Sequence, residues 1–137
     1  MTSAFQDSMP HLISERLVAV RQDGTPQLIA GHCRACGARS FPKGEVCTNC
    51  LSEDVEAIRL HSEGTLYSYS VVHQAPKGWN VPYALGYVDL PEGVRVLAHL
   101  DAPASALRID GAMKLALGVV GTDSTGVPMS TYTFVPA

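Results

Sequence analysis

The sequence predicts a mainly β protein in which a small zinc ribbon precedes a five-stranded barrel. Two observations predict this fold class. All four cysteines fall in two C-x-x-C pairs that ten residues separate. From residue 60 onward, short runs of β-branched and aromatic residues alternate with Gly, Pro and Asp, a pattern typical of strands and turns. Five such runs, with a longer connection between the third and fourth, favour a Greek-key barrel of the OB type; spacing alone also permits an SH3-like barrel.

The cysteine spacing predicts a metal site. Each C-x-x-C pair suits a tight turn that directs two thiolates at one point, and two such turns complete a tetrahedron around Zn²⁺. We therefore expect Cys33, Cys36, Cys47 and Cys50 to be the ligands of a structural zinc, since four thiolates leave no position open for water. Two disulfides would need an oxidising compartment, and a redox C-x-x-C would need only one pair and a βαβ context.

We expect three segments along the chain. Residues 1–25 should hold a short helix around residues 11–17 or the first strand of a hairpin, since Asp23-Gly24 separates two apolar runs. Residues 26–59 should form the four-cysteine zinc ribbon, with Phe41 over the metal site. Residues 60–137 should form the barrel, with strands over 64–73, 83–90, 94–100, 113–120 and 130–135. In the first of these, alternation places Tyr67 and Tyr69 on one face and Leu66 on the other.

Composition argues against a surface for nucleic acid or membrane. The net charge of −3 is evenly spread: residues 1–59 carry six Lys/Arg and seven Asp/Glu, and residues 60–137 carry four and six. Neither half has the basic surface that a phosphate backbone requires. No apolar run approaches the roughly 18 to 20 residues that cross a bilayer, and the first ten residues lack the features of a signal peptide. We expect a reducing cytoplasm.

The order of motifs resembles the DUF35 family. The C-x-x-C-G ribbon contains Phe41-Pro42, the strand Gly-Thr-Leu-Tyr-Ser-Tyr-Ser-Val-Val-His follows, and Pro82-Tyr83 and a Val-Asp-Leu-x-Glu-Gly-x-Arg hairpin come next. The resemblance covers residues from about 26 to 135. It implies a rubredoxin-like ribbon and an OB-fold barrel. It also implies that the chain is a partner of a thiolase-fold enzyme. Such partners brace the catalytic subunit, and some members help to hold the pantetheine arm of CoA.

We therefore expect a non-catalytic accessory subunit of a thiolase, aldolase or acyltransferase complex in acyl-CoA metabolism. The expected assembly is a hetero-oligomer with a thiolase-like subunit, with the CoA of the partner's substrate as a further ligand. All cysteines are assigned to zinc, no serine lies in a G-x-S-x-G elbow, and the five histidines are scattered. The alternative is an OB-fold protein that binds single-stranded nucleic acid, with stacking tyrosines and a structural zinc ribbon.

The loop over residues 74–82 is the expected contact surface for the partner or for CoA. Lys77, Gly78 and Trp79 place a cation, a flexible residue and the single tryptophan side by side between two strands. Loops on a rigid barrel carry binding sites, and Trp is enriched among interface anchors. The alternative is that Trp79 folds back and plugs the mouth of the barrel.

Overall fold

Short strands make up nearly all of the regular structure. A computed structural model describes residues 11–13 and 16–137. In these residues the strands are β1 (His11–Leu12), β2 (Val18–Val20), β3 (Pro26–Cys33), β4 (Arg39–Ser40), β5 (Val55–Arg59), β6 (Glu63–Val72), β7 (Tyr83–Asp89), β8 (Arg95–Leu100), β9 (Ala112–Thr122) and β10 (Pro128–Pro136). One 3-10 turn, Ala104–Ala106, lies between β8 and β9. This part of the chain contains no helix long and apolar enough to span a bilayer.

Strand β3 organises the ribbon, because β2, β4 and β5 all pair with it in antiparallel register. The hairpin predicted at Asp23-Gly24 is confirmed. Val18 pairs with Leu28, and Gly24 takes a φ of +90° in the turn, a conformation that glycine adopts without steric cost. One alternative predicted for residues 11–17 is a short helix. This prediction is wrong for the first two of these residues, because His11–Leu12 form a strand. Residues 14 and 15 lie outside the described part of the chain.

Strand β1 pairs in parallel with β10, and the other five strands close into the expected barrel. Strands β6, β7, β8, β10 and β9 follow one another around it, and β9 returns to pair with β6. All pairs in the ring are antiparallel except β8 and β10, which run parallel where His99 meets Thr133 and Leu100 meets Phe134. The long connection through the 3-10 turn makes this parallel pair possible. The five-stranded OB-type barrel predicted from strand spacing is confirmed.

A bulge in β6 changes the side-chain pattern expected there. Leu66 pairs with Val88 but Ser68 pairs with Tyr87, so Tyr67 is an extra residue in the ladder. The prediction that Tyr69 shares the face of Tyr67 is wrong. Tyr69 packs against the core, while Tyr67 is exposed with the Arg95 guanidinium 3.5 Å from the centre of its ring.

The ribbon and the barrel share one hydrophobic core. Val18, Leu28 and Ala30 of the ribbon belong to the same buried cluster as Leu66 and Phe134 of the barrel. The Phe41 ring, expected over the metal site, instead meets the ring of Tyr132 in β10 edge to face, with centroids 5.7 Å apart. The Phe41 ring therefore contributes to the apolar contact between the ribbon and the barrel.

Candidate metal centre and neighbouring surfaces

Two equivalent backbone turns present the four cysteines. In the first, the N–H of Gly37 donates to the carbonyl of Cys33 at 2.8 Å, and in the second the N–H of Leu51 donates to the carbonyl of Cys47 at the same distance. Each turn ends in a left-handed residue, with φ of +83° at Gly37 and +67° at Leu51. In the sequence, the glycine after the first pair is a residue that favours such a turn, whereas Leu51 carries no comparable signal.

The sulfur atoms fit a tetrahedral metal. All four Sγ atoms lie within 4.8 Å of one another, and none is in a disulfide. The Sγ atoms of Cys33 and Cys50 are 3.6 Å apart, as are those of Cys36 and Cys47. A regular tetrahedron with Zn–S bonds of about 2.3 Å has S–S edges of about 3.8 Å. The residues expected as ligands are thus brought together in a geometry that zinc can occupy.

Asn49 donates hydrogen bonds to two of the four sulfurs. The backbone N–H of Asn49 donates to Cys47 Sγ at 3.4 Å, and its side-chain amide donates to Cys36 Sγ at 3.5 Å. The amide lowers the pKa of the Cys36 thiol to about 6. Such donors fix the orientation of the ligands and offset the negative charge of a tetrathiolate centre. Asn49 went unnoticed in the sequence, although it sits between the two cysteines of the second pair.

The loop expected as a contact surface is anchored to the barrel. The carbonyl of Gly78 accepts a hydrogen bond from the N–H of Thr122 at 2.8 Å, and Trp79 bridges to Gly121. The indole of Trp79 stacks on His99, with centroids 5.7 Å apart and planes 10° from parallel. Trp79 is therefore half-buried against the barrel wall, while Lys77 is exposed.

His99 lies at the centre of an aromatic stack that the sequence did not reveal. The ring of Tyr83 lies 4.5 Å from it. Beside this stack a cleft of about 630 Å³ opens, and its wall includes Asn80, Asp101 and Thr133. His99 Nε2 is buried without a hydrogen-bond partner among the described residues, and burial lowers the pKa of the ring. A neutral imidazole thus faces mainly apolar surroundings.

Comparison with known proteins agrees with this architecture. Residues 24–56 match the family described as the rubredoxin-like zinc ribbon domain of ChsH2, and residues 57–118 match its C-terminal OB-fold domain. A solved structure titled "Ltp2-ChsH2(DUF35) aldolase" superimposes with a TM-score of 0.63 at 27% sequence identity, covering 80% of this chain and 84% of that one. The chain belongs to the DUF35 family.

Two curated relatives of this DUF35 chain bear the name benzoylsuccinyl-CoA thiolase subunit BbsA. The protein from Thauera aromatica is 35% identical over 119 residues, which is 86% of this chain and 83% of the relative. The protein from Geobacter metallireducens is 37% identical over 114 residues, which is 83% of this chain and 77% of the relative. Both alignments extend over most of the two chains compared.

Proposed function

We propose that this DUF35 chain is a non-catalytic accessory subunit of a thiolase-like acyl-CoA enzyme, which it braces in a hetero-oligomer. The observation that carries the proposal is the alignment with a thiolase subunit over 83% of that relative's length. The fold shared with a chain of an aldolase complex points the same way. Four unpaired cysteines suit a reducing cytoplasm.

The chemistry of the described residues supports a bracing role. The four cysteines, 33, 36, 47 and 50, form a closed set that suits a structural zinc and leaves no thiolate as a nucleophile. Two histidines face carboxylates: His32 Nδ1 lies 3.1 Å from Glu56, and His61 Nδ1 lies 2.6 Å from Glu92. Acyl transfer by this chain alone would need a nucleophile beside such a base.

For the contact surface, we propose the segment of Lys77, Gly78 and Trp79 together with the cleft beside His99. Hydrogen bonds to β9 anchor the backbone of this segment, so binding would cost less conformational entropy than at an unanchored loop. The cleft is mainly apolar and has a buried nitrogen without a partner among the described residues, which suits the amide of a pantetheine arm or a side chain of the partner.

Co-expression with the thiolase-like protein encoded nearest to it tests this proposal. We expect a stable complex on size-exclusion chromatography with light scattering, and thioester turnover only when both chains are present. Trp79→Ala should weaken the complex, and Thr48→Ala, an exposed substitution in the ribbon, serves as the control. Turnover of an acyl-CoA by the isolated chain would contradict a non-catalytic role, and failure to associate with any thiolase-like protein would contradict the partnership.

A further inference from the structure

A second cleft, distinct from the His99 cleft, lies where the ribbon meets the barrel. Its volume is about 400 Å³, and its wall combines the β2–β3 turn, the end of β5, the start of the barrel and β9. Three cationic side chains line it: Arg21 from the turn, Arg59 from β5 and Lys114 from β9. Each comes from a separate element, so tertiary folding alone brings them together.

These three cations make no ion pair in the described part of the chain, where no carboxylate lies within 4.0 Å of them. Other arginines are paired, since Arg34 Nε lies 2.7 Å from Glu56 Oε2, and Arg95 Nε lies 2.6 Å from Asp89 Oδ1. The contrast marks the cleft as a place where three cations converge without an ion-pair partner.

Three acidic residues, Asp23, Glu63 and Glu92, lie near the cleft without contributing to its wall. Asp23 is two residues from Arg21, but its Oδ1 accepts hydrogen bonds from the N–H of Thr25, at 3.0 Å, and from the Thr25 hydroxyl. Glu63 stands opposite Lys114 in the β6–β9 register but does not reach ion-pair distance. Asp23 interacts electrostatically with Arg21 and offsets part of its charge, but neither Asp23 nor Glu63 forms an ion pair with a cation of the cleft.

The remaining lining adds further polar groups. His61 lies at the cleft, where Glu92 Oε2 holds both its ring Nδ1, at 2.6 Å, and its backbone N–H, at 2.8 Å. Ser62 adds a hydroxyl group, whereas the hydroxyl of Thr25 already donates to Asp23 Oδ1. Arginine recognises phosphate through paired N–H donors and lysine as a point charge, and convergent like charges in a concave site raise the local concentration of anions.

We propose that this cleft binds the phosphate groups of a small phosphorylated ligand. The volume lies in the range of small-molecule sites, and three cations match a diphosphate or two separate phosphates better than a single carboxylate. A nucleoside diphosphate and the phosphorylated adenosine end of CoA share this chemistry. The proposal does not depend on the thiolase partnership, because the site lies within this chain.

Isothermal titration of the zinc-loaded full chain at low salt tests the site. The probes are pyrophosphate, ADP, adenosine 3′,5′-bisphosphate and CoA, with adenosine as the uncharged control. We expect binding of the phosphorylated probes but not of adenosine, and about tenfold weaker binding in each of Arg59→Gln and Lys114→Gln, because each removes one charge-assisted contact. The matched control is Arg108→Gln, which removes an exposed arginine outside the cleft. Zinc content and thermal unfolding verify that each variant folds.

The pattern among probes distinguishes the source of the phosphate. Stronger binding of CoA and the bisphosphate than of ADP assigns the site to CoA, and the reverse assigns it to a nucleoside diphosphate; both support the proposal. It is overturned if no phosphorylated probe binds, or if Arg108→Gln weakens binding as much as the cleft variants. It is also overturned if oligothymidylate binds far more tightly than ADP, or if the cleft variants weaken only the complex with a protein partner.

Discussion

Truncating Leu28 to alanine tests whether the ribbon and the barrel unfold as one unit. Leu28 lies in the ribbon strand β3, yet its side chain is 0% exposed and belongs to the buried cluster that also contains Leu66 and Phe134 of the barrel. Its carbonyl also accepts a hydrogen bond from the N–H of Leu60 at 3.0 Å, where the chain enters the barrel. A cavity at this position should therefore destabilise both parts.

The expected magnitude follows from the complete burial of the side chain. Leu→Ala substitutions at such sites cost about 3 to 5 kcal/mol in free energy of unfolding. For a domain of this size each kcal/mol lowers Tm by about 3 to 5 °C, so a drop of about 10 to 20 °C is expected. Two probes should show the same lowered midpoint. One is the fluorescence of Trp79, which lies on the barrel, and the other is the thiolate absorption of a cobalt-substituted ribbon.

The control is Val20→Ala, in the neighbouring ribbon strand, where the side chain is 47% exposed and the loss should stay below about 1 kcal/mol. The reasoning is refuted if Leu28→Ala lowers the midpoint of the cobalt signal and leaves that of Trp79 unchanged. Separate midpoints would mean that the shared core does not couple the two parts.

Three further predictions follow from the site. Metal analysis should find one zinc per chain and none in Cys47→Ser; a metal-free but folded wild type would contradict the tetrathiolate centre. In urea unfolding, Gly37→Ala should lower the free energy of unfolding by about 1 kcal/mol, because this position has a positive φ. Leu51→Gly should raise it by up to about 1 kcal/mol, because Leu51 also has a positive φ and its side chain is 76% exposed. A lower free energy of unfolding in Leu51→Gly would contradict this reasoning. Since burial lowers the pKa of His99, the unfolded chain binds more protons as pH falls through about 6.5, so stability should decrease from about pH 7.5 to about pH 5.5. His99→Gln should reduce that slope and the exposed His73→Gln should not; equal slopes in both variants would count against the assignment.

The parts of this structure that local patterns specify were predictable from the sequence. The spacing of the cysteines specified their convergence, because a C-x-x-C turn brings its two sulfurs close together whatever surrounds it. The runs of β-branched and aromatic residues located the barrel strands, and the long connection before β9 indicated the Greek key. The roles of the cysteines as zinc ligands, and of Lys77, Gly78 and Trp79 as a contact surface, stay predictions.

Features that depend on tertiary packing were beyond local patterns. Nothing in the strand sequence of β6 marks Tyr67 as the extra residue, since a bulge depends on the register of β7. Trp79 and His99 are twenty residues apart and meet only because β9 holds the loop. The convergence of Arg59 and Lys114 likewise depends on how the ribbon sits on the barrel, and an even distribution of charge along the chain concealed it.

The core that Leu28 shares with the barrel also determines what a partner encounters. Two modules joined by a hinge would have to be brought into a fixed mutual orientation on association, with a corresponding loss of conformational entropy. Here the orientation is already set before association, so a single larger protein can contact the four-cysteine ribbon and the barrel wall simultaneously.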